Sequence, residues 1–127
     1  MEKIETRTAF IWLHEKNMVW EDFKREMEID VQDIRDNIAA SLILTKGAVH
    51  TAVLDAREKD LTITNAAMRY GASKEVTKQR AATAHVTSSL SGRLVGNFFM
   101  KFFKPKINNR MFTDVDEAVK WLRTFKE

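Results

Sequence analysis

Three histidines, His14, His50 and His85, offer imidazole nitrogens for a metal ion or for proton transfer. They are far apart in the chain and fall on different predicted strands, without the close pairing of helical zinc motifs. They read as ordinary strand residues, and no metal site is expected. Asp55 closes an apolar run, and the carboxyl ends of strands border the ligand crevice in α/β sheets. Two readings are open there. The carboxylate either accepts N–H bonds from the following loop or pairs with Arg57, or else Asp55, Arg57, Thr64 and Asn65 form the rim of a partner-binding face. General acid–base chemistry needs a second positioned titratable group. Glu58 and Asp60 are near in sequence, but clustered acids in a polar loop read as solvated. No Gly-x-Ser-x-Gly, His-Glu-x-x-His or glycine-rich phosphate loop occurs. No catalytic residue and no cofactor are expected, and the chain does not read as an enzyme.

Two further stretches could bind something. In Ser88-Ser89-Leu90-Ser91-Gly92-Arg93, a helix start with hydroxyls and a guanidinium could hold an anion through Ser89, Ser91 and Arg93. The alternative is that one serine caps the helix while Gly92 and Gly96 let it approach the sheet. In Phe98-Phe99-Met100-Lys101-Phe102-Phe103-Lys104, adjacent rings diverge by about 100° and cannot all enter one core. Phe98 and Phe102 share one face, and Phe99 and Phe103 share the next. Three readings stand: a neighbouring segment covers the second face, the four rings form a protein interface, or the basic residues around them make an interfacial membrane contact.

These residues belong to a chain of 127 residues, the size of a single domain spanning 1–127. Cysteine is absent, which removes disulfides and thiolate chemistry. The opening Met1-Glu2-Lys3-Ile4-Glu5 lacks the apolar core of a signal peptide. No uncharged stretch approaches the roughly 18 residues of a membrane span, so a cytoplasmic location is expected. The net charge of +3 is spread among interspersed acids and bases, which argues against nucleic acid as a partner. The exception is the stretch from Arg93 to Arg110, where Arg93, Lys101, Lys104, Lys106 and Arg110 are the only charged residues.

The elements that must position these groups follow from hydrophobic period. Ala9–His14 and Met18–Phe23 read as strands joined at Asn17. Asp30 reads as the cap of a helix with Val31, Ile34, Ile38 and Leu42 on its apolar face, ending at Gly47. Ala48–Leu54 reads as a buried strand, and a second helix starts near Thr62–Asn65. Ala81–Thr87 reads as a strand, and a third helix runs from the Ser88–Ser91 caps to Pro105. Asn108–Phe112 reads as a last strand. Thr113 to Asp116 is a capping-box variant opening a helix with Val115, Ala118, Val119, Leu122 and Phe125 inward. The order ββαβαβαβα predicts an α/β domain, with a mixed sheet of about five strands and about four helices.

Val53-Leu54-Asp55, Leu94-Val95-Gly96-Asn97-Phe98-Phe99, Lys104-Pro105, Met111-Phe112-Thr113-Asp114 and Glu117-Ala118-Val119-Lys120-Trp121-Leu122 together resemble the STAS-like, or SpoIIAA-like, small bacterial domains. The resemblance covers roughly residues 45 to 125. It implies a mixed sheet with helices on its faces, and protein interaction or ligand sensing rather than catalysis. Members that antagonise anti-sigma factors are switched by phosphorylation of a serine that opens a helix. The matching segment here, Ile63-Thr64-Asn65-Ala66-Ala67, has no serine, and Thr64 is the only hydroxyl that could substitute. The function expected is a non-enzymatic regulatory or scaffold domain acting on a protein partner, with its own copy a candidate. The alternative is a carrier or sensor of a small apolar or anionic, lipid-like ligand in a helix–sheet pocket.

Overall fold

The computed structural model describes residues 2–104 and 108–125. Strands β1 (Lys3–Glu5), β2 (Ala9–Glu15) and β3 (Met18–Phe23) form an antiparallel meander. Asn17 takes a φ of 55° at the β2–β3 turn, a left-handed conformation that asparagine tolerates. After β4 (Glu28–Ile29), α1 (Val31–Thr45) opens on a reciprocal capping box between Asp30 and Asp33. Then come β5 (His50–Asp55), β6 (Thr62–Ile63), α2 (Asn65–Gly71), α3 (Lys74–Thr77) and β7 (Arg80–Val86). The chain continues through α4 (Leu90–Phe98), a π-turn (Phe99–Phe103), β8 (Asn108–Phe112) and α5 (Val115–Arg123).

The main sheet has the order β1-β2-β3-β5-β7-β8, and β3, β5, β7 and β8 run parallel. The expected mixed α/β architecture is present, with six strands in the sheet rather than five. Three-residue β1 has a single apolar residue, Ile4, too little for an alternation signal. β4 and β6 form a separate two-stranded pair. The second helix is divided at Ala72–Ser73 into α2 and α3. Strand β5 begins at His50, two residues later than expected. The cap of α5 is Asp114, whose Oδ1 accepts from the Asp116 N–H at 2.8 Å, so Thr113 lies outside the cap. The expected stop at Pro105 lies outside the described residues.

Alternation along the strands divides two cores. One face carries Met18, Trp20, Val53, Ala82, Ala84 and Val86 against Ala118, Val119 and Leu122 of α5. The small side chains of Ala82 and Ala84 leave room for that helix. The other face carries Ala9, Ile11, Val19 and Phe23 against Ile29, Ala40 and Leu44. Helix α1 is turned from the predicted phase. It buries Asn37, Ser41 and Thr45, four residues apart, beside Ile38 and Leu44, while Leu42 is half-buried and Ile43 exposed. The polar row wins because each member is bonded. Asn37 Oδ1 accepts from Thr6 Oγ1 at 2.7 Å, Ser41 Oγ donates to Asn37 O at 2.9 Å, and Thr45 Oγ1 donates to Ser41 O at 2.9 Å.

Candidate functional site

On the α1 face, the second core thins out beyond β5. Thr83 and His85 of β7 and Asn109 and Met111 of β8 point to that side, beneath α2 and α4. A cavity of about 170 Å³ lies between them. Ile34, Ile38, Leu54, Ile63, Met68 and Val76 line its deep side, and Val95, Gly96 and Phe99 of the α4 arm line its outer side. No described residue of α4 or the π-turn is buried, so the arm is a wall with space behind it. Two glycines bring that wall close. A Cβ on Gly96 would collide with Met111 Sδ, and one on Gly92 would collide with Thr87 Oγ1.

The polar groups of the cavity form two sets. At its floor Glu21 and Arg80, both buried, make a salt bridge. Arg80 Nε also donates to His50 Nε2 at 3.2 Å, and its Nη2 reaches Ser41 Oγ at 3.3 Å. The register shift at the start of β5 and β7 re-aims Arg80 to this face, although Ala82 and Ala84 point to the other. With Nε2 accepting, His50 is the neutral tautomer that donates from Nδ1 to Ala48 O at 3.1 Å. Burial and then the Arg80 charge push its imidazole down to about 4. The ion pair is thus satisfied from all sides and leaves no net charge for a ligand.

The second set faces the cavity. His85 Nε2 lies 2.7 Å from Asn109 Oδ1, and its ring is 5.9 Å from Phe99. With the amide oxygen toward the ring, Nε2 carries the proton and Nδ1 is an acceptor. No hydrogen bond to that Nδ1 is formed among the described residues. Burial lowers the His85 pKa, partly offset by Asn109, so the ring is neutral near pH 7. The cavity lining is mostly apolar, with the His85 acceptor and a few hydroxyls, among them Ser89 and Ser91, at its wall, the pattern of a small-molecule site.

The residues singled out from the sequence are not brought together. Asp55 Oδ1 and Oδ2 accept from Arg57 Nε and Nη2, each at 2.9 Å. Burial alone would raise the Asp55 carboxyl, but Arg57 outweighs it and holds it below the usual carboxylate range. This pair lines an open groove with Trp12, Trp20 and Ser88 on the α5 side. Thr64 and Asn65 do not line it. Thr64 caps α2, accepting from Ala67 N at 3.0 Å and donating to Asp30 Oδ1 at 3.0 Å. A phosphoryl group there would meet the Asp30 carboxylate. Ser89 caps α4, accepting from Gly92 N at 3.0 Å. Ser89 and Ser91 line the cavity, whereas Arg93 is exposed outside it. Phe98 and Phe102 are exposed, and Phe99 and Phe103 are half-buried on the inner side. His14 packs on Trp20 at 5.0 Å, remote from the other two imidazoles by strand position. Among the described residues no group of His, Asp or Glu is placed to hold a metal ion.

Sequence reasoning missed Glu21, Ser41, Asn37 and Arg80 and assigned His85 no role. One signal was available. Glu21 stands between Val19 and Phe23 at an inward position of a strand, where a carboxylate requires a buried cation.

The chain belongs to the family of a domain of unknown function, DUF7793, whose model matches residues 11–126. Its fold is SpoIIAA-like, as the resemblance implied. It is similar to the crystal structure of an uncharacterised protein of the DUF3478 family with a SpoIIAA-like fold from Shewanella loihica PV-4. The TM-score is 0.57 at 15% identity, over 95% of this chain and 90% of that one, a likeness of fold alone. No curated protein matches the chain. Among the described residues no helix is long and apolar enough to cross a membrane.

Proposed function

We propose that this DUF7793 domain is a non-enzymatic regulatory module that senses a small apolar molecule bearing one hydrogen-bond donor, held in the cavity beneath α4. The observation that carries this is an apolar cavity whose wall presents the unengaged Nδ1 of a neutral His85. Size sets the class. A dry cavity on the order of 150 Å³ holds a benzene-sized molecule, so a single ring or a short chain fits here and a whole phospholipid does not. The Glu21–Arg80 pair is internally neutralised, which favours a neutral polar end over a carboxylate or phosphate. Ligand uptake presses on the inner side of the arm, and its outer side faces any partner. Occupancy and partner binding are thereby coupled through one helix.

Calorimetry with 4-methylphenol and with p-xylene, which replaces the hydroxyl by a methyl, tests the reading. The phenol is expected to bind about tenfold tighter, the scale of one buried hydrogen bond. His85→Phe should erase that difference, and Val95→Trp should fill the cavity and abolish both. If neither compound binds, or if Val95→Trp binds as well as the wild type, the cavity is not a ligand site.

A further inference from the structure

The outer side of the arm carries a feature that the cavity does not use. Leu90, Leu94, Phe98 and Phe102 are 66%, 60%, 42% and 62% exposed and stand four apart along the outer side of the arm. A regular α-helix would let residues four apart drift by about 40° per step. The wider π-turn corrects that drift at the end of the arm, and Phe98 and Phe102 meet with ring centroids 4.5 Å apart. The stripe is about 18 Å long at the α-helical rise. Arg93 and Lys101 stand three residues beyond Leu90 and Phe98, along one flank of the stripe, and both are exposed. Lys104 follows, also exposed, and from Ser88 to Phe112 the sequence contains no acid.

We infer that this face docks on an anionic lipid surface. Apolar side chains in line with a one-signed basic flank match an interfacial helix, which buries its apolar side among acyl chains while cations meet anionic headgroups. A second copy fits less well. Pairing the stripes would set Arg93 and Lys101 against the same cations of the other chain, with no acid on the arm to answer them. The inference rests on the outer face alone, so the cavity reading stands or falls separately.

Flotation with vesicles of phosphatidylcholine, and of equal parts phosphatidylcholine and phosphatidylglycerol, tests it on the full chain. Binding to the anionic vesicles is expected to be at least about tenfold stronger and to weaken with salt. Leu94→Ser/Phe98→Ser should lose it, as should Arg93→Glu/Lys101→Glu, and thermal melts check that each variant folds. Three results would overturn the inference. The wild type could stay unbound on anionic vesicles. The serine variant could bind like the wild type, leaving only unspecific charge attraction. Or light scattering could show a dimer that the serine variant dissolves, making a second copy the occupant.

Discussion

At the scale of single residues, the chemistry of this domain is set by which polar groups are buried and what each one faces. Removing one member of a buried ion pair costs roughly 3–5 kcal/mol, because the other charge is left without a partner. Glu21 and Arg80 avoid that cost through each other, and the remaining N–H groups of Arg80 need the His50 ring to accept. The need for an acceptor makes His50 a reporter of pH. Its folded value of about 4 lies below the ordinary 6.5, so the unfolded chain takes up the proton first. Stability from this group is complete above about pH 6.5 and is lost as pH falls toward 4, by an amount on the order of 3 kcal/mol. His85 is shifted in the same sense. The Asp33 carboxyl, lowered by Arg7, adds its loss only below the ordinary carboxylate value of 3.8. Urea melts at pH 7, 5.5 and 4.5 should therefore show a fall in wild-type stability that is clearly shallower in His50→Gln. Parallel falls in both proteins would mean that His50 is not buried neutral against Arg80.

At the scale of elements, two kinds of helix cover the sheet. Helix α5 is packed: Leu122 is fully buried between Ala118 and the strand residues of the first core. Leu122→Ala should cost about 2–5 kcal/mol in denaturant melts by opening a cavity. A loss under about 1 kcal/mol would put that side chain outside the core. The α4 arm, by contrast, buries nothing fully and touches the sheet through glycines. This difference decides what could be read in advance. The stripe of α5, the Asn17 turn and the Asp30 cap were legible because local pattern and tertiary position agree there. The divergence of the paired phenylalanines was legible too, but not which pair would turn outward, since that depends on what lies beneath the helix. The phase of α1 was not legible. Asn37, Ser41 and Thr45 face inward only because Thr6, Thr8 and Arg80, distant in sequence, meet them. The cavity was legible as a helix–sheet pocket in outline, but its lining was not. It is built from α1, α2, α3, the α4 arm and six strands at once, and the bulge that re-aims Arg80 leaves no mark in hydrophobic period.

At the scale of the whole molecule, the two sides of the sheet have different jobs. The α5 side is densely packed around Leu122 and open only at the groove of Trp12, Trp20 and Asp55. The α1 side is sealed over β1, β2 and β3 and open inside over β7 and β8, with the unusual chemistry concentrated in one arm: space behind it, an apolar stripe and cations in front. The proposed function uses this arrangement, with a ligand taken on the inside of the arm and its presence displayed on the outside. The open groove at Trp12, Trp20 and Asp55 is the competing place for a ligand, and its acid is already held by Arg57. The two places are told apart most directly by backbone amide NMR of the labelled domain titrated with 4-methylphenol. Saturable shifts centred on Thr83, His85, Val95 and Phe99 are the predicted result. Shifts confined to the Trp12, Trp20 and Asp55 groove, or none at all, would contradict the claim that the cavity beneath α4 is the ligand site.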